Sequence, residues 1–214
     1  MFNIEDSVVA DKFIAVSHIE THYDALIFDM DGTLLDTMPA HLEAWAITAK
    51  HYQFDICLDW LHGLGGMPSS KIVVEINRKY GLELDPKEVA KHKMETFIHF
   101  EDHGGIIDST YNILKHYQGI KKTAIGTGSM SETALKLLES SGVLPLFDTV
   151  VTASDVDNHK PNPDTFLLAA QRLGVEPKRC VVFEDTYLGL QAAHAAGMDC
   201  IMVVADGLEF HAVP

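Results

Sequence analysis

Apolar and polar positions divide the chain into two regimes. A single β-rich run, Ala25-Leu26-Ile27-Phe28, precedes about 65 residues in which apolar side chains recur every three to four positions. Over residues 39–53 that period aligns Leu42, Trp45, Ala46 and Ala49 on one face. Over 68–80 it aligns Ile72, Val73 and Ile76, with Ser69 and Ser70 as candidate caps. Asp85-Pro86 has the form of an N-cap followed by proline at the first helical position, and the helix it opens is expected to run to Gly104-Gly105.

From about residue 110 the pattern changes. Helical stretches over 111–117, 131–140, 164–173 and 188–196 alternate with β-rich runs over 122–126, 149–152, 180–183 and 200–204. Such alternation implies an α/β fold with a parallel sheet covered on both faces. Residues 1–22 are mixed and polar, with short apolar pieces at Val8-Val9-Ala10 and Phe13-Ile14-Ala15-Val16; the expectation there is a helix lying on the domain, without chemistry of its own.

Ligands of open parallel sheets bind beyond the carboxyl ends of the strands. In order, those ends offer Asp29 and Asp31, then Thr127-Gly128-Ser129, then Lys160, then Glu184-Asp185. Asp29 and Asp31 stand two apart, so on an extended strand both point the same way, and Gly32 permits the sharp turn that follows. Two carboxylates this close repel unless a proton or a cation intervenes, and Mg²⁺ prefers such oxygens. One acid can then attack phosphorus while the other moves a proton. Thr127 and the N–H groups of Gly128 and Ser129 suit phosphate oxygens, and Lys160 can neutralise both phosphate and nucleophile. Asp185 can join Asp29 and the Asp31 carbonyl around the metal; Glu184 is either a further ligand or a cap for the next helix. The plainer alternative, a strand-end turn with solvated acids, does not account for the complementary set in this order.

Charge and composition narrow the partners. The chain has 214 residues, 47% of them hydrophobic, and a net charge of −15 from 16 basic and 31 acidic side chains. That balance argues against non-specific binding to nucleic acid or to an anionic membrane, and an anionic substrate then needs locally supplied positive charge. Arg78, Arg172 and Arg179 are the only arginines. Cys57, Cys180 and Cys200 lack metal-type spacing, and the latter two fall in apolar strand-like runs expected to be buried. With neither a signal segment nor a membrane-spanning run in view, the expectation is a cytoplasmic monomer.

Asp29-x-Asp31-Gly-Thr, Thr127-Gly-Ser, Lys160-Pro-x-Pro-Asp164 and Glu184-Asp185 resemble the four signature motifs of the haloacid dehalogenase superfamily, and the likeness covers nearly everything from 24 to 204. Within it, the chain looks like the branch of sugar-phosphate phosphatases and β-phosphoglucomutases, with 155–198 most similar to fructose-1-phosphate phosphatase-like proteins. The resemblance implies a Rossmann-like core over 1–36 and 105–214 with a small helical cap over 37–104, inserted after the first strand. It also implies Mg²⁺ held by Asp29, Asp31, Glu184 and Asp185, and an aspartyl-phosphate on Asp29 with Asp31 as acid and base. The substrate would be a small phosphorylated sugar, of the fructose-1-phosphate or 6-phosphogluconate type. His41 matches a histidine that this branch can carry in the cap, and Lys71 and Lys93 are candidate cap contacts. The mutases carry an arginine near the cap stretch that matches Gly66–Lys71, which here has none; that favours hydrolysis over a mutase. A phospho-accepting receiver domain is disfavoured by the long helical insert. His92, His99 and His103 are not expected to form a zinc site, His194 reads as structural, and Trp45 and Trp60 read as cap packing residues.

Overall fold

The computed structural model describes residues 19–214. The expected helix over the first 22 residues lies almost wholly outside the described residues. In chain order the elements are β1 (Ala25–Phe28), α1 (Met38–His51), α2 (Leu58–His62), α3 (Ser69–Tyr80), α4 (Pro86–Ile98), α5 (Asp108–Tyr117), β2 (Lys122–Gly126) and α6 (Ser131–Ser140). They continue with β3 (Thr149–Val151), α7 (Asp164–Leu173), β4 (Cys180–Glu184), α8 (Tyr187–Ala195), β5 (Asp199–Val204) and β6 (Gly207–His211).

The sheet order is β3-β2-β1-β4-β5-β6, with β1 to β5 parallel and β6 antiparallel. The chain runs outward from β1 through β2 to β3, then returns to the other side of β1 with β4. The strand order therefore reverses beside β1, where open α/β sheets place their ligands. Period-two alternation splits each strand between two cores. Leu26, Phe28, Val181 and Phe183 pack with Ile113, Leu114, Leu137 and Leu138 of α5 and α6. Ala25, Ile27 and Val182 pack instead with Phe166 and Ala169 of α7 and Ala192 and Ala193 of α8. Burial on both faces is why these strands read as unbroken apolar runs.

The helices between β1 and α5 enclose an apolar cluster of their own, built on Trp45, Leu61, Ile72, Val73, Ile76 and Val89. α4 opens as expected, with Asp85 accepting from the N–H groups of Lys87 (2.8 Å) and Glu88 (3.0 Å). It ends at Ile98, short of Gly104. The chain there must turn back to the core: Gly104 takes φ +105 against the backbone of Asp36, and Asp36 N–H donates to the Gly105 carbonyl at 2.8 Å. β6 was not expected either. The chain folds back onto β5 through the two-residue turn Ala205-Asp206, with Gly207 at φ +142 opening β6, and that glycine after Asp206 is its signal in the sequence. Cys180 and Cys200 are buried, and burial pushes the Cys180 thiol up to about 12, so it stays protonated. No helix among the described residues is long and apolar enough to cross a membrane.

Phe28 and Phe183 stack across β1 and β4 with ring centroids 4.5 Å apart, both fully buried. Phe28→Ala leaves a cavity at the centre of the sheet, directly under the strand ends. It is expected to lower the unfolding free energy by about 3–5 kcal/mol, measured by urea denaturation.

Candidate active site

Asp29 follows β1 and continues its ladder, its N–H donating to the Phe183 carbonyl at 2.9 Å. Its carboxylate is buried, and Oδ1 accepts from Lys160 Nζ at 2.6 Å. Lys160 reaches it from the loop before α7, with its side chain fully buried and Nζ 4.7 Å from the centroid of the Phe166 ring. The same ammonium lies 2.6 Å from Glu184 Oε1. Burial alone pushes the lysine down, but Asp29 and Glu184 outweigh it and hold its pKa above the ordinary lysine value. Lys160 is therefore a fixed positive charge.

Asp31 is oriented differently. Thr37 Oγ1 donates to its Oδ1 at 2.6 Å and Ser129 Oγ to its Oδ2 at 2.7 Å, with His41 Nε2 3.3 Å from Oδ1. Burial pushes this carboxyl up, yet the contacts from His41, Thr37 and Ser129 hold it below the usual carboxylate range. His41 is itself pushed down by burial and by Lys93, so it serves there as a neutral N–H donor. Its tautomer follows from Lys93, whose Nζ donates to Nδ1 at 2.5 Å and leaves the proton on Nε2. The imidazole is stacked on Phe97, centroids 4.0 Å apart. Burial pushes Lys93 down to about 7.

The loop after β2 closes the site from the other side. Thr127 is buried, its N–H donates to the Val151 carbonyl, and its Oγ1 accepts from the Ser129 N–H at 3.0 Å, which leaves the hydroxyl proton available to a ligand. A Cβ on Gly128 would sit 2.0 Å from the Gly66 carbonyl oxygen, so this residue is a glycine because the helical insert touches the core there. Beyond β4, Asp185 Oδ1 accepts from Thr33 Oγ1 at 3.2 Å.

Asp29 and Asp185 are both pushed well above the carboxylate range, by burial first. Glu184 adds to the shift at both, and Lys160 opposes it. Asp29 Oδ2 and Asp185 Oδ2 receive no hydrogen bond among the described residues. Two desolvated carboxylates, each with an unengaged oxygen, fit a hard divalent cation that takes few protein ligands and completes its shell with water and phosphate oxygens. No three His, Cys, Asp or Glu side chains of the described residues form a cluster that could hold a metal by themselves. Of the four residues expected around a metal, Asp31 through its backbone carbonyl and Glu184 as ligand or cap, two have their carboxylates engaged by protein donors. The Asp31 carboxylate is turned to Thr37, His41 and Ser129. Both oxygens of Glu184 are engaged, Oε1 by Lys160 and Oε2 by the N–H groups of Asp185 and Thr186 and by Thr186 Oγ1. Thr186, not Glu184, caps α8.

A cavity of about 480 Å³ joins these groups to the helical insert, with Asp29, Asp31, Thr127 and Ser129 at one end and Trp45, Lys93 and Met94 among its walls. Lys71 is not among them. α3 turns Ile72, Val73 and Ile76 inward, so Lys71 faces solvent and Ser69 and Ser70 line the cavity instead. Lys87 and Lys91, missed in the sequence, line it from α4. Their signal was the i, i+4 spacing on a helix whose other face is packed. Trp45 both packs and lines the cavity, whereas Trp60 packs on Tyr80.

The sequence model of haloacid dehalogenase-like hydrolases matches residues 23–197. Fructose-1-phosphate phosphatase YqaB from Escherichia coli is 43% identical over 189 residues, covering 85% of this chain and 96% of that protein. A phosphorylated carbohydrates phosphatase from Thermotoga maritima is 32% identical, covering 86% and 87%. Among solved structures, β-phosphoglucomutase from Clostridium difficile superposes with a TM-score of 0.73 at 28% identity, covering 85% of each chain.

Lys93 gives this site a pH signature. Its pKa falls from 10.5 unfolded to about 7 folded, so stability is full above 10.5 and is lost as pH falls through 7. Lys93→Met is expected to raise the melting temperature by ~5 °C near pH 6.5 and by much less near pH 9.5, measured by calorimetry. With its fold, its four motif positions gathered at one sheet edge and these relatives, the chain belongs to the haloacid dehalogenase-like hydrolases.

Proposed function

We propose that this chain is a Mg²⁺-dependent phosphatase of small phosphorylated sugars, working through a covalent phosphoryl group on Asp29. The observation that carries the reading is the Asp29 carboxylate, pinned through Oδ1 by Lys160 at 2.6 Å while Asp29 lines the same cavity as Asp31, Thr127 and Ser129. Asp29, Asp185 and the Asp31 carbonyl would hold Mg²⁺, which when bound offsets charge on the phosphoryl oxygens.

The residues then divide the work. Thr127, the N–H of Gly128 and Lys160 bind the phosphate oxygens and fix phosphorus in line with Asp29. Asp29 attacks phosphorus as the ester P–O bond breaks, and Asp31 gives the leaving alcohol its proton. The arriving phosphate raises the proton affinity of Asp31, which its donors otherwise keep low, so that Asp31 takes up from solvent the proton it then gives to the alcohol. Asp31 next takes a proton from water, the water oxygen attacks phosphorus, and the bond to Asp29 breaks to release inorganic phosphate. The His41–Lys93 pair holds Asp31 in place for both transfers.

Support for a sugar phosphate comes from carbohydrate phosphatases among the relatives and from a cavity large enough for a hexose phosphate. A mutase reading draws on the β-phosphoglucomutase structure. Against it, the cap stretch that would grip a distal phosphate presents Ser69 and Ser70, and none of the described residues lining the cavity is arginine. Hydrolysis of sugar monophosphates without an added bisphosphate is the expected outcome. Efficient interconversion of β-glucose 1-phosphate and glucose 6-phosphate with negligible phosphate release contradicts it.

Asp29→Asn is expected to lower kcat by at least ~10³-fold while the protein remains folded by circular dichroism. Chelation with EDTA should abolish phosphate release, and added Mg²⁺ should restore it. A metal-free preparation with full activity would sink the metal assignment.

A further inference from the structure

α8 carries Gly189, buried, in its first turn. Glycine is a poor helix former, second only to proline, so a glycine inside a helix calls for a steric reason. That reason is Glu184. A Cβ on Gly189 would lie 1.9 Å from both Cδ and Oε1 of Glu184 and 2.4 Å from Oε2. The carboxylate therefore fills the volume that a side chain at 189 would occupy.

The Glu184 carboxylate is held there by four donors: Lys160 Nζ at 2.6 Å, Asp185 N–H at 2.9 Å, Thr186 N–H at 2.8 Å and Thr186 Oγ1 at 2.9 Å. Gly189 contributes once more, because its N–H donates to Thr186 Oγ1 at 3.1 Å and orients that hydroxyl. We propose that Gly189 is a positioning residue of the active site, its missing side chain being the space from which Glu184 holds Lys160 against Asp29. The inference rests on the phosphatase reading of Asp29 and Lys160.

The steric path is short. Oε1, one of the two atoms nearest the missing Cβ, is the acceptor of Lys160, and Lys160 Nζ is 2.6 Å from Asp29 Oδ1. A side chain at 189 drives Oε1 away, and the fully buried ammonium must follow it or lose a charged partner. Either way the nucleophile loses its fixed orientation. By contrast, a Cβ on Gly197, just after α8, meets nothing within 4 Å, so in this segment the demand for space falls on position 189.

A double-mutant cycle tests this. Gly189→Ala, Glu184→Asp and the double variant are compared in kcat and KM for p-nitrophenyl phosphate and in melting temperature. Gly189→Ala should lower kcat about tenfold or more, with a smaller change in KM, and should lower the melting temperature. Aspartate at 184 is one methylene shorter and clears the space. In that background the same alanine should change kcat less than about threefold and raise the melting temperature, as Gly→Ala does where nothing obstructs it. Equal losses of kcat in both backgrounds, with the same sign of melting shift, overturn the proposal. Should Gly189→Ala fail to fold, recovery of a folded protein by Glu184→Asp supports it and failure in both backgrounds overturns it. A wild-type protein inactive on phosphate monoesters would sink the phosphatase reading, while the sign of the melting shift would still decide whether Gly189 makes room for Glu184.

Discussion

Lys160 stands fully buried between Asp29 and Glu184, 2.6 Å from each. A buried ammonium is tolerable only with such partners, and removing one partner of a buried pair typically costs about 3–5 kcal/mol. The reverse also holds: Asp29, Glu184 and Asp185 can share one desolvated corner only because Lys160 is there and because a second cation can join them. Much of the local architecture follows from keeping that group of charges together. Glu184 turns back over α8 to hold the lysine, Thr186 and Gly189 make room for it and orient it, and Phe166 floors the ammonium.

The parallel sheet serves this arrangement by delivering charges from separate segments to one edge. β1 and β4 are adjacent, in register from Ala25 with Cys180 to Phe28 with Phe183, so Asp29 and Glu184 emerge side by side. β2, on the other flank of β1, brings Thr127 to the same level. The helical insert lies above, and its contribution is different in kind. His41 is half-buried and Lys93 buried, and the two meet each other, which gives Asp31 a donor that carries no charge. Asp29 and Asp31, two residues apart, thereby acquire opposite proton affinities: one raised by burial among acids, the other lowered by donors.

Legibility in the sequence followed the range of the interactions. The strands, most helix limits and the strand-end residues rest on local period and capping, and Asp29, Thr127, Lys160 and Asp185 sit where the strand ends predict. Orientation was not legible. Whether Glu184 points toward the cavity or back over α8 depends on Lys160, 24 residues away, and on the absence of a side chain at 189. Lys71 and Lys93 look alike as cap lysines, yet one faces solvent and the other is buried beside His41, a difference set by helix packing. The early end of α4 has the same origin, since it is fixed by the contact of Gly104 with Asp36 rather than by the helix sequence.

Everything in the proposed reaction turns on Asp29, oriented by Lys160, taking the phosphoryl group. The most direct test is to quench the enzyme in acid during turnover of a sugar monophosphate with Mg²⁺ and to map phosphorylation by mass spectrometry. One phosphoryl group on Asp29, formed and lost at rates compatible with kcat, is the expected result. Steady phosphate release with no phosphoryl group on Asp29, or with one on another residue, would contradict it.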